Sequence, residues 1–259
     1  MLFDAHMHTD FSCDAHMLLP EAMATGEKLG IGIIVTEHWD SEYPTNPEMF
    51  KFDLDAYFAK NRNYRSDRVL LGIEVGMQPQ VVVHDEAMIK GHPFDEVVAS
   101  MHCMKGKDMY EPTSYRGLTK EQSIREYLED SVLCLSLYHD FDTYGHLDYI
   151  SRYMPYEDNT LYYEDFAELW DKVFSLLVAG DKALEINTRR LGNPQAIKPL
   201  QVFYNRFREL GGHYVTLGSD AHTVENIGNN FKCAQEIAKT AGLQIVHFKE
   251  RQRIVDKEW

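Results

Sequence analysis

The sequence predicts an α/β fold whose parallel strands close into a (β/α) barrel of seven or eight strands, with residues 1–259 as a single domain. Three observations carry this expectation. Short apolar, β-branched runs alternate with segments of helical period along the whole chain. Nearly every run ends in His, Asp or Glu, from residue 6 to residue 222. An open doubly wound sheet suits the alternation equally well, but only a closed ring brings so many strand ends to one point.

The strand-like runs come in order. Residues 2–3 precede Asp4-Ala5-His6, 31–36 precede Glu37-His38, 69–73 precede Glu74, and 97–101 precede His102. A weaker stretch leads into Gly145-His146, then 183–186 precede Asn187 and 214–218 precede Ser219-Asp220. Helices are expected between them. The segment 20–29 opens on Pro20 and stops at Gly30; 53–65 follows. The segment 119–138 starts with Thr119 and Gln122 at capping-box spacing. Segments 164–178 and 194–210 follow, the second ending at Gly211-Gly212, and 225–241 holds the last helix. Irregular stretches at 40–52, 103–118 and 151–163 are expected as rim loops over a site.

Composition narrows the function. Hydrophobic residues at 44% and charged residues at 26% are globular values. No apolar run approaches the ~20 residues a membrane helix needs. The polar start, with Asp4 and His6 where a signal peptide is apolar, suggests a cytoplasmic protein. Lys and Arg number 26 against 41 Asp and Glu, a net charge of −15, which disfavours nucleic acid as a partner. Cys13, Cys103, Cys134 and Cys233 form no CxxC pair and are expected as reduced, mostly buried thiols.

His6 and His8 share one strand face, so both imidazoles can reach one ion. Asp4 is placed to orient one of them. The candidate ligands are His6, His8, Asp14, His38, Glu74, His102, His146, Asp220 and His222, six imidazoles and three carboxylates. An open catalytic zinc takes about three protein ligands, so this set implies more than one ion, with Glu74 a natural bridge. The mixture suits Zn, Fe or Mn better than Ca or Mg. His84, His92, His139, His213 and His247 are expected to be ordinary histidines, His247 lying in a late apolar run without an acidic neighbour.

Asp4-Ala5-His6-Met7-His8-Thr9, Thr36-Glu37-His38, Gly72-Ile73-Glu74, Ser100-Met101-His102, Gly145-His146-Leu147-Asp148 and Gly218-Ser219-Asp220-Ala221-His222 resemble the ordered motifs of the PHP (polymerase and histidinol phosphatase) superfamily. Within it the chain resembles the stand-alone histidinol-phosphate phosphatases, from residue 4 to about Arg251. The resemblance implies a distorted (β/α)7 barrel with a trinuclear metal site. His6, His8, Glu74 and Asp220 resemble the ligands of one ion. Glu74, His102 and His146 resemble those of a second, and Asp14, His38 and His222 those of a third. His16 is a nearby rival of Asp14. Glu185-Ile186-Asn187-Thr188 continues with Arg189-Arg190 where the family usually continues Ser-Gly, and the stretch 103–117 also departs from the family. Both departures are expected beside the substrate.

The implied activity is hydrolysis of a phosphate monoester, L-histidinol phosphate by the resemblance. Clustered dications cancel the repulsion between two anions and lower the pKa of a bound water, so hydroxide forms near neutral pH. Glu74, Asp220 and His222 are the residues expected at the chemistry, and Asp148 is a possible acid or a structural support. Arg152, Arg189 and Arg190 are candidate phosphate clamps, with surface ion pairs as the competing role. Other readings are the same chemistry on another small phosphate ester, or C–N hydrolysis of amidohydrolase type. The latter usually needs a Lys at a strand end, and no expected strand here ends in one.

Overall fold

A computed structural model describes residues 1–256; the last three residues of the expected domain lie outside the described residues. The chain runs β1 (Phe3–Asp4), α1 (Leu19–Leu29), β2 (Gly32–Trp39), α2 (Leu54–Asn61), β3 (Val69–Gly76), α3 (Val82–Lys90) and β4 (Val97–Ser100). A small hairpin follows, β5 (Cys103–Met104) and β6 (Lys107–Asp108). Then come α4 (Lys120–Leu137), β7 (Thr143–Tyr144), α5 (Ile150–Tyr153), α6 (Ala167–Ala179), β8 (Ala183–Asn187), α7 (Pro194–Glu209) and β9 (Tyr214–Gly218). The chain ends with α8 (Phe231–Ala241), β10 (Gln244–Lys249) and β11 (Gln252–Val255).

The main sheet runs β1-β2-β3-β4-β7-β8-β9-β10-β11. All pairs are parallel except β10 with β11. The ring closes where β9 meets the chain beyond β1. Ala5 N donates to Leu217 O, Asp220 N to His6 O and His8 N to Ala221 O, with Met7 bridging Ala221 in parallel. Seven parallel strands therefore form the barrel. It is distorted because the start of β9 pairs with β10 instead, at Tyr214 and Val215. β2 and β3 are buried along their whole lengths, as parallel strands covered on both faces must be.

Local chemistry explains the helix ends. Pro20 occupies the first turn of α1, and Gly30 closes it at φ 73°, a left-handed position glycine adopts at no steric cost. Thr119 and Gln122 form the expected reciprocal cap on α4. Asn193 caps α7 and Pro194 opens it. The last helix is shorter than its pattern suggests, because Gly228 and Asn230 take positive φ and stop helical propagation before Phe231. The terminal hairpin of β10 and β11 has no counterpart in the expected strands. It packs His247 against Asp256, Nδ1 to Oδ1 2.6 Å, so His247 has the acidic partner that its sequence neighbours lack. Among the thiols, all free, Cys103 and Cys134 are buried and Cys233 is half-buried, while Cys13 departs from the expected burial and is exposed. Among the described residues no helix is long and apolar enough to cross a membrane.

Candidate metal centre

The C-terminal ends of the barrel strands converge on one carboxylate. Glu74 lies near the end of β3, fully buried, and imidazoles approach it from four other strands. On Oε1 it meets His146 Nε2 at 2.8 Å, and His6 Nε2 and His102 Nε2 at 3.3 Å each. On Oε2 it meets His38 Nδ1 at 2.8 Å and His8 Nε2 at 3.6 Å. Ser100 Oγ donates to Oε1 at 2.6 Å and fixes the carboxylate plane. Chain segments that follow β1 and β9 supply the rest. Asp220 Oδ1 lies 3.5 Å from His8 Nε2, and Asp14 Oδ2 lies 3.3 Å from His222 Nε2 and 3.6 Å from His38 Nε2. Asp220 sits at φ 54°, an uncommon conformation for a residue with a side chain, of the kind that concentrates at functional sites.

These atoms fit metal ions by a test independent of motif. His6 Nε2, His8 Nε2, His38 Nδ1, His102 Nε2 and Glu74 Oε2 are buried, and none has a partner with hydrogen-bond geometry. A buried polar atom left unpaired costs roughly 1–3 kcal/mol, so a cluster of them facing one another needs a shared partner. Three overlapping groups have ligand atoms within 4.8 Å of one another: His6, His8 and Glu74; His38, Glu74 and His102; and His8, His38 and His222. The first holds three of the four residues that the resemblance gives to one ion, without Asp220. In the other two the geometry differs from the expected division, because His38 turns Nδ1 to Glu74 and Nε2 to Asp14, and His8 adjoins His222. Asp14 lines the cleft above the cluster, whereas His16 does not.

Electrostatics bear out the crowding of acids and imidazoles. Burial would raise the Glu74 carboxyl, but His6, His102 and His38 hold it well below the usual carboxylate range. Burial is likewise outweighed at Asp220 by Arg152, and at Asp14 by His222 and His38, so both carboxyls are held low. Burial opposes protonation of His38, yet Glu74 and Asp14 raise it to about 10. His6 and His102 are raised in the same way, by Glu74 with Glu185 and by Asp40 with Glu74. His8 is lowered by burial and by His38 and His222.

A further layer orients the rings, and sequence reasoning misses part of it. Glu185 Oε1 bonds His6 Nδ1 at 2.7 Å, Asp40 Oδ1 bonds His102 Nδ1 at 2.8 Å, and Ser12 Oγ meets His8 Nδ1 at 3.3 Å. Asp40 stands two residues beyond His38, a spacing that strand alternation could have flagged. Asp4 does not orient a ligand ring. Its carboxylate accepts from Ser219 N at 2.9 Å and Gly228 N at 2.8 Å, and so ties down the turn that carries Asp220.

A cleft of about 450 Å³ opens above the cluster. Arg152 and Arg189 line it. Arg152 Nη1 pairs with Asp220 Oδ2 at 2.5 Å and Nη2 with Asn187 Oδ1 at 2.9 Å; Arg189 Nη1 stands 3.7 Å from Asp220 Oδ1. Arg190 and Asp148 do not line the cleft and pair with each other at 3.2 Å. The outer wall comes from the three irregular stretches: Tyr43 and Phe50, Asp108, Tyr110 and Glu111, and Tyr153 with Tyr149 just before.

Residues 4–189 match the PHP domain family. A relative from Clostridium acetobutylicum named "Probable histidinol-phosphatase" is 41% identical over 97% of this chain and 98% of its own. A histidinol-phosphatase of Lactococcus lactis is 31% identical over 92% of this chain and 91% of its own. The crystal structure of histidinol phosphate phosphatase from Lactococcus lactis, complexed with zinc, L-histidinol and phosphate, superposes with a TM-score of 0.92 at 29% identity over 99% of both chains. The seven-stranded barrel, the imidazoles gathered on Glu74 and these likenesses agree: the chain belongs to the PHP family.

Proposed function

We propose that this chain is a metal-dependent phosphomonoesterase that hydrolyses L-histidinol phosphate to L-histidinol and phosphate, as a step of histidine biosynthesis, and that residues 1–259 form one such domain. The observation that carries this reading is the set of unpaired buried imidazole nitrogens around Glu74, placed directly beneath a cleft with two arginines in its wall. His6, His8, Glu74 and Asp220 would hold one divalent transition-metal ion, His102 and His146 with Glu74 a second, and Asp14, His38 and His222 a third. When bound, such ions neutralise phosphate charge and make water a nucleophile near neutral pH.

The chain's own residues then divide the remaining work. Arg152 enters the cleft with its guanidinium already held between Asp220 and Asn187, so little side-chain entropy is lost when it meets a phosphate oxygen. Arg189 is half-exposed at the same rim and adds a second positive charge. Together they oppose the charge that builds on the phosphoryl oxygens as the ester bond breaks. The outer wall suits the organic half of the substrate. Tyr43, Phe50 and Tyr153 offer faces for a flat imidazole, and Asp108 and Glu111 offer anions for an ammonium group. Asp148 acts as a support, since Arg190 holds it against the turn after His146. A cytoplasmic location belongs to the same proposal, because four free thiols suit a reducing compartment.

The test is phosphate release by zinc- or manganese-loaded protein on L-histidinol phosphate, run beside sugar phosphates and other amino-alcohol phosphates. A preference of at least about 100-fold in kcat/KM for histidinol phosphate is expected. Equal, slow turnover across the panel would remove that substrate and leave the phosphoesterase.

A further inference from the structure

We propose that Glu185 is a positioning residue that ties the metal centre to the phosphate-binding arginine. Glu185 lies in β8, 1% exposed, in the one barrel strand that contributes none of the candidate ligands. Its carboxylate accepts only N–H groups. Oε1 takes His6 Nδ1 at 2.7 Å; Oε2 takes the backbone N–H of His146 at 2.5 Å and Asn187 Nδ2 at 3.2 Å.

Each bond fixes a different part of the site. The first holds a proton on His6 Nδ1, so in the neutral ring the lone pair falls on Nε2, the atom that faces Glu74 without a hydrogen-bond partner. The second anchors the chain at His146, whose ring meets Glu74 from the other side. The third sets the Asn187 amide so that its oxygen points at Arg152 Nη2, 2.9 Å away. One carboxylate therefore sets a ligand tautomer, a ligand backbone and the seat of the phosphate clamp. The packing around it leaves no slack. A Cβ at Gly218 would collide with Glu185 Oε1 and lie 2.6 Å from His6 Cβ, so only glycine admits the carboxylate there.

Glu185→Gln keeps the shape but offers one acceptor end and one donor end, so an amide NH₂ must face an N–H. The inference rests on the metal-centre reading but not on the identity of the substrate, and its readouts are independent of turnover. In the zinc-loaded wild-type protein, ¹H–¹⁵N spectra should show a hydrogen-bonded His6 Nδ1–H, assigned by its loss in His6→Asn. E185Q should lose or strongly shift that resonance and bind one of its zinc equivalents about 10- to 100-fold more weakly by competitive chelation. Asn187→Ala should keep the resonance and the zinc content while raising KM. Zinc on His6 Nδ1 in the wild type would overturn the proposal, and this measurement decides even if E185Q fails to fold. Unchanged zinc affinity with an unchanged Nδ1–H in E185Q would overturn it too, and loss of zinc by N187A would overturn the separation of the two arms.

Discussion

The two ends of the barrel are both rich in buried charge, and they differ in how that charge is satisfied. At the floor the carboxylates of Asp95, Asp142 and Asp256 find their partners within the chain. Asp95 accepts from Arg65 Nε and Nη2, Leu71 N and Glu250 N. Asp142 accepts from Val97 N and Arg251 Nε, and Asp256 from His247 and Phe3 N. At the mouth, side chains of the same types leave five neighbouring polar atoms unpaired. Neither buried charge nor one unpaired atom marks the site, since Glu96 Oε2 near the floor also lacks a partner. The mark is a cluster of unpaired ligand atoms facing one another, and among the described residues such clusters lie at the mouth.

The strongest way to break this contrast is to remove its centre. Glu74→Ala should cut kcat on the order of 10³-fold or more and release metal, measured by phosphate release and by metal content per chain. Normal turnover with full metal would end the bridging role. Arg152→Ala should lower kcat/KM about 100-fold as the clamp is lost, and loosen one metal equivalent as well, because Asp220 loses the guanidinium that holds its carboxylate. Asp108→Asn with Glu111→Gln should raise KM for histidinol phosphate about 10-fold and leave KM for an aryl phosphate that carries no ammonium group unraised; equal effects on both would argue against an ammonium seat.

The floor should respond in the opposite sense. Asp95→Ala leaves Arg65 and two backbone N–H groups without their acceptor, which costs about 2–3 kcal/mol after allowing for the partly exposed arginine. Denaturant melts should show that loss while zinc content and kcat stay as in the wild type. A pH dependence tests the mouth without any substitution. His38 is raised from 6.5 to about 10 in the metal-free protein. A raised imidazole stabilises fully below its unfolded value, and that contribution is lost as pH rises through the folded one. The Tm of chelated protein should fall between those limits, and zinc uptake at pH 7 should release protons in calorimetry across buffers of different ionisation enthalpy.

Much of the site is legible in residue order alone. Acids and imidazoles at the ends of apolar runs locate His6, His38, Glu74, His102, His146 and Asp220 around one ring, because parallel strands place all their C-terminal ends on one face. Glu185 is read from the sequence only as part of the stretch Glu185 to Thr188 expected beside the substrate, with no role of its own, and Asp40 is visible only as an alternation with His38. Asp4 escapes correct assignment because its carboxylate reaches Ser219 and Gly228, more than two hundred residues away, a pairing created by barrel closure. His247 escapes it for the same reason, since Asp256 reaches it across a hairpin with no periodic signature.

By itself the sequence determined the strand and helix alternation, the closed ring and the identity of nearly every donor around Glu74, since these follow from local periodicity and from which residue types terminate strands. Only the tertiary structure decided which imidazoles lie side by side, which acids orient them, and that Arg152 rather than Arg190 enters the cleft. Those outcomes depend on distances of 2.5 to 4 Å between segments far apart in the chain, which are set by ring closure and side-chain packing.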